Sequence, residues 1–220
     1  MRAESASGDS RRRKMRIRIR NALGWRTRET STQQTMRLVP PTSLVALAAA
    51  SFRSRAPLCS AASAAALPPL VAPGGATLDD DATRARLAGK RVALYFSAGW
   101  CPMCTSFEPA LKQFRQACED SGKDVELIYV PSDRSADDAQ ERALKLDMLQ
   151  VPFKRADELK KQHRVWAGSE ALKLGMGRRS GVPALVVLDC EGAELAFVAA
   201  ESQGVRALQA WPLDDARGVW

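Results

Sequence analysis

Histidine occurs once in the chain, as His163, among 220 residues. A zinc site built on Cys101 and Cys104 would need two further ligands, and there is no second Cys-x-x-Cys pair to supply them. A Cys–His hydrolytic pair would have to recruit that single imidazole from far along the chain. No Gly-rich dinucleotide fingerprint is present, so NAD(P) and FAD are not expected, and neither a metal nor a cofactor is assigned. Long apolar runs are missing as well. The stretch Leu44 to Ala50 is much too short to span a bilayer, so no stable membrane insertion is expected, although it suits the core of a signal peptide. The five cysteines are odd in number and irregular in spacing, which excludes a small disulfide-framed scaffold. They suit a compartment where thiols stay reduced and one pair cycles.

Acidic residues are absent between Glu29 and Asp79. Residues 1–75 carry thirteen Lys/Arg against three acids, whereas the rest carries twenty bases against twenty-two acids. The net charge of +8 therefore belongs to the N-terminal segment. Its Arg-, Ser-, Thr- and Ala-rich composition, ending in Pro68-Pro69-Leu70-Val71-Ala72-Pro73-Gly74-Gly75, buries too little apolar surface to offset chain entropy and matches organellar leaders. Residues 1–76 are read as a disordered targeting presequence for a plastid or mitochondrion, with Met36 as an alternative start, and 77–220 as the folded domain. The run Arg11-Arg12-Arg13-Lys14 is read as a solvated arm. No aromatic platform or recognition helix accompanies it, so no nucleic-acid partner is expected.

From Thr77 onward the chain alternates in type. Arg91 to Ser97 reads as a buried strand, and Thr105 to Cys118 as a helix with Phe107, Leu111 and Phe114 at helical spacing and a bend expected at Pro109. Val125 to Val130 reads as a second strand, followed by a helix from Ala136 to Leu146 capped by Ser135. Another helix is expected from Ala156 to about Arg164. Pro183 to Leu188 and Glu194 to Val198 are separated by too short a turn for a crossover and predict an antiparallel hairpin. A final amphipathic helix is expected over Gln203 to Trp211. Helices between the early strands require a parallel central pair, so the fold class is α/β, a three-layer α/β/α sandwich with a mixed central sheet.

The chemistry concentrates at Trp100-Cys101-Pro102-Met103-Cys104, between a strand and a helix. A thiol at a helix start lies over unpaired backbone N–H groups, which favour the thiolate, and a second thiol one helical step on is placed to displace a bound substrate. Cys101 is then the nucleophile and Cys104 the resolving thiol. Pro102 fits the first turn, where a missing N–H costs nothing. Of the other cysteines, Cys59 lies in the leader, Cys118 at the far end of the helix and Cys190 in a turn.

Tyr95-Phe96-Ser97-Ala98-Gly99-Trp100-Cys101-Pro102-Met103-Cys104, with Phe107 and Pro109 following, resembles the thioredoxin superfamily, and within it the tryparedoxin/nucleoredoxin branch. The likeness continues through Val130 to Ser135, Val151-Pro152-Phe153 and Ser180 to Asp189. It implies a thioredoxin-like fold, a redox disulfide between Cys101 and Cys104, and a cis-proline at Pro183. It also implies substrate contacts through Trp100, Pro102, Pro183 and the backbone of Val182. The implied activity is protein-disulfide reduction by a monomer that takes electrons from an upstream thiol reductant. A disulfide oxidase or isomerase, and a redox-sensitive adaptor, stay open beside it. Three departures stand out: Tyr95 where ordinary thioredoxins carry a buried Asp, Met103 between the cysteines, and a lengthened stretch from Val165 to Arg179.

Overall fold

Three expected strands are mostly apolar, and the computed structural model, which describes residues 67–213, buries every residue in them, Arg91, Ser97 and Glu126 included. These are β1 (Arg91–Ser97), β2 (Val125–Pro131) and β4 (Ala184–Leu188). A two-residue β3 (Leu149–Gln150) and the edge strand β5 (Glu194–Val198) complete a sheet in the order β3-β2-β1-β4-β5. β1 pairs parallel with β2, and β2 with β3, whereas β4 runs antiparallel to both β1 and β5. The sheet is mixed, with the expected hairpin at its C-terminal end. Asp189 closes that hairpin, its carboxylate accepting from the Glu191 and Ala193 amides.

Strand alternation assigns side chains to two cores, since successive residues point to opposite faces. One core holds Ala93, Tyr95, Leu127, Tyr129, Leu185 and Val187 under α2 (Pro102–Glu119), which contributes Phe107, Leu111, Phe114 and Cys118. The other holds Leu94, Phe96, Ile128, Val130 and Val186 against α1 (Asp80–Leu87) and α4 (Ala156–His163). Cys101, which caps α2, and Cys104, in its first turn, belong to this second core. The first turn of α2 therefore packs with the second core and its later turns with the first.

Helix ends follow local chemistry. Ser135 accepts from the Asp138 amide to cap α3 (Ala136–Leu146), and Asp79 accepts from the Ala82 amide to cap α1. The helix α1 had no expectation, because only Thr83 and Leu87 of its eight residues are buried and no apolar period marks it. α2 continues through Pro109 to Glu119. The stretch 165–179 is tethered by a Val165–Ser180 bridge and contains a short 3-10 turn (Gly168–Glu170) and α5 (Ala171–Leu174). Among the described residues, no helix is long and apolar enough to cross a membrane.

Two expectations need correction. The single helix over Gln203 to Trp211 is instead α6 (Ala200–Gln203) followed by a 3-10 helix (Gly204–Ala210). Gly204 at φ +54° breaks the α geometry, while Ala207, Leu208 and Trp211 still bury their side chains as the spacing implied. The fold also begins before Thr77. Leu70 is fully buried, and Val71 exchanges two 2.9 Å backbone hydrogen bonds with Gln150, so the Pro/Gly stretch extends the sheet beyond β3. The rest of the expected presequence, residues 1–66, lies outside the described residues.

Candidate active site

Sheet register brings the site together. Ser97 pairs with Pro131 and Phe96 with Ala184, so the ends of parallel β1 and β2 and the start of antiparallel β4 share one rim. Residues 98–101, 132–133 and 182–183 leave the sheet there. Cys101 caps α2 in extended geometry (φ −88°, ψ 115°), Pro102 is the first helical residue, and Cys104 follows within the first turn. Cys104 is fully buried, while Cys101 keeps 7% of its surface accessible. Trp100 is 40% exposed beside them.

The loop carrying Cys101 is held from β2. Trp100 Nε1 donates to the Ser132 carbonyl at 2.9 Å, and the Gly99 amide donates to Asp133 Oδ1 at 2.7 Å. The other Asp133 oxygen accepts from the Tyr129 hydroxyl at 2.5 Å. On the facing side, the Cys101 thiol donates to the Val182 carbonyl at 3.8 Å, and the Val182–Pro183 peptide is cis. Just upstream, the Gly181 amide donates to Glu201 Oε2 at 2.5 Å, and Glu201 is paired with Arg178. Trp100, Cys101, Cys104, Val182 and Pro183 thus form one cluster, with Pro102 exposed on its rim.

Burial dominates the electrostatics beneath Cys101. It pushes the Cys104 thiol up to about 12, against the opposing effects of the Ser97 hydroxyl and the Ala98 backbone. Tyr95 is raised by burial too, which keeps it a neutral phenol. Desolvation raises Glu108 on α2, while its ion pair with Arg142 of α3 pulls it down. The lone histidine takes no part in this cluster. His163 Nδ1 lies 3.6 Å from Glu194 with its ring edge-on to Phe96, and burial lowers its pKa. No group of three or more His, Cys, Asp or Glu side chains among the described residues is arranged to hold a metal ion.

Sequence reasoning did not single out Ser97, Asp133, Glu108, Arg142 or Glu201. Ser97 and Asp133 lie inside motifs that carried the resemblance, so their signal was present as position without a role. Glu201 has no local signal, because its contact with Gly181 bridges two separate segments of the fold.

Comparison with known proteins places this geometry. A Thioredoxin-like family model matches residues 89–194. Nucleoredoxin from Bos taurus is 29% identical over 124 residues, covering 56% of this chain and 25% of that protein. Tryparedoxin from Trypanosoma brucei brucei is 37% identical over 67 residues, covering 30% of this chain and 46% of that protein. The chain thus spans about a quarter of the length of the nucleoredoxin it matches. Among solved structures, tryparedoxin II from C. fasciculata superposes with a TM-score of 0.51 at 24% identity, covering 71% of this chain and 97% of that one, a likeness of fold. With the mixed sheet, the helix-capping Cys-x-x-Cys and the facing cis-proline in place, the chain belongs to the thioredoxin superfamily, in its tryparedoxin/nucleoredoxin-like branch.

Proposed function

We propose that the chain is a protein-disulfide reductase in which Cys101 attacks a substrate disulfide and Cys104 resolves the mixed disulfide that forms. The observation that carries this reading is the placement of Cys101, which caps α2 against the Val182 carbonyl with a second, buried thiol one turn behind it. An extended substrate segment would pair with the backbone at Val182 beside Pro183, and Trp100 would cover the sulfurs. An upstream thiol reductant returns the pair to the dithiol. Residues 1–66, rich in Arg and Ser and poor in acids, support delivery to a plastid or mitochondrion, which fusion of that segment to a fluorescent protein tests.

The deciding measurement is the reduction potential of the Cys101–Cys104 pair in defined dithiol/disulfide buffers, with Cys101→Ser as control. A value near about −270 mV is expected for a reductase. A value near about −120 mV would reverse the direction to oxidation or isomerisation. Absence of a two-electron transition would remove the redox reading and leave an adaptor. For a reductase, Cys104→Ser should trap substrates as mixed disulfides with Cys101.

A further inference from the structure

Resolution of a mixed disulfide requires Cys104 to become a nucleophile, yet its sulfur has no access to solvent. The sequence has Tyr95 where ordinary thioredoxins carry a buried carboxylate, and the structure accounts for the carboxylates nearby. Asp133 spends one oxygen on the Gly99 amide and the other on the Tyr129 hydroxyl. Glu108 is held by Arg142. What lies against Cys104 is the Ser97 hydroxyl of β1, with the Tyr95 phenol behind it on the same strand. Ser97 is fully buried and interacts with both the Cys104 thiol and the Tyr95 phenol. Neither Ser97 Oγ nor Tyr95 Oη makes a hydrogen bond of standard geometry in this resting arrangement. Buried hydroxyls are ordinarily satisfied, so the Ser97 hydroxyl, left without a standard hydrogen bond against a buried thiol, is poised for a state of that thiol in which it gains an acceptor. A thiolate is such an acceptor.

We infer that Ser97 is a catalytic residue for the second half of the exchange, its hydroxyl donating to the Cys104 sulfur as that sulfur attacks, with Tyr95 as the positioning residue behind it. The inference rests on the thiol–disulfide reading proposed above. In the mixed disulfide, Cys101 is bonded to the substrate sulfur. Cys104 gives up its proton and its sulfur attacks that of Cys101. The Cys101–Cys104 bond forms as the Cys101–substrate bond breaks, and the substrate leaves as a thiolate whose uptake of a proton balances the one Cys104 gave up. Two electrons pass from the dithiol to the substrate. Ser97 lowers the barrier by stabilising the charge on Cys104 where water does not reach, as a hydrogen bond to an ion does in a desolvated site. The charged and titratable groups around it are Cys101 capping α2, Glu108 within α2, Tyr129 and Asp133 from the β2 end, and Arg142 from α3. The Ser97 hydroxyl and the Cys101 thiol both make side-chain hydrogen-bonding contact with the Cys104 sulfur.

The test separates the two half-reactions. The reduced full-length chain is mixed in stopped flow with 5,5′-dithiobis(2-nitrobenzoate), and the trace of the matching Cys104→Ser chain is subtracted. That subtraction removes release from Cys59, Cys118 and Cys190 and isolates the release that Cys104 drives. Ser97→Ala is expected to leave the first release, from attack by Cys101, unchanged and to slow the Cys104-dependent release by about tenfold, the weight of one hydrogen bond to a charged group. Ser97→Thr, which keeps the hydroxyl, should restore most of that rate. Unchanged resolution in Ser97→Ala overturns the inference, as does equal slowing of both releases, which would mark a structural role. If the unsubstituted chain shows no Cys104-dependent release at all, the exchange reading itself fails, and the role of Ser97 fails with it.

Discussion

Cys104 couples the redox state of the pair to stability at alkaline pH. Below its ordinary value of 9.0 the thiol is protonated in both folded and unfolded chains, and the full contribution to stability is present. Above that value the unfolded chain releases the proton while the folded chain holds it until about 12, so stability falls across this window. Each pH unit between the two values weighs about 1.4 kcal/mol. Cys118 is raised to about 12 by burial and behaves the same way in either redox state. Oxidation of Cys101 to Cys104 removes the Cys104 part alone. Urea unfolding at pH 7 and pH 10 should therefore show a larger alkaline loss for the reduced chain than for the oxidised one. Equal losses would contradict the burial of Cys104.

At the scale of elements, the segment leading into β4 is fixed from outside the sheet. Gly181 has no side chain, and a Cβ there would run into the Glu201 carboxylate and the Arg178 guanidinium. Gly181→Ala should displace Glu201, remove its hydrogen bond to the Gly181 amide and cost about 1 kcal/mol. Because the Val182 carbonyl follows directly, the variant should also weaken capture of substrate by a Cys104→Ser trap. Thermal unfolding and trapping yield check the two effects, and a variant normal in both would show that Glu201 is replaceable.

The same elements show what was legible in the sequence. β1, β2 and α3 were readable because continuous apolar runs, a Pro stop and a Ser cap are local signals. The position of Cys101 at the start of α2 was readable for the same reason. Gln203 to Trp211 kept its buried face but not its helix type, since an apolar spacing near three and a half does not distinguish an α turn from a 3-10 turn broken at Gly204. Ser97, Asp133 and Glu201 escaped because their roles come from contacts between strands and helices distant in the chain. α1 escaped because its outward face is too polar to leave a period.

For the whole molecule, the boundary of the fold is the practical matter. A chain beginning at Thr77 would lose Leu70, which is packed in the core shared by Cys101 and Cys104, and the Val71–Gln150 bonds along the edge of β3. Relative to a chain beginning at Leu67, it should be less stable by roughly 2–5 kcal/mol, the range for removing one buried leucine side chain. Comparison of the two by urea unfolding checks this, and equal midpoints would place the segment outside the folding unit.

The start of α2 gives the molecule a further property. Its sulfurs sit with the packing on one face of the sheet and its later turns with the packing on the other. A bond closed between those sulfurs therefore lies within one of the two cores and pins the first turn of the helix to the loop before it, so the melting temperature should report whether that latch is shut.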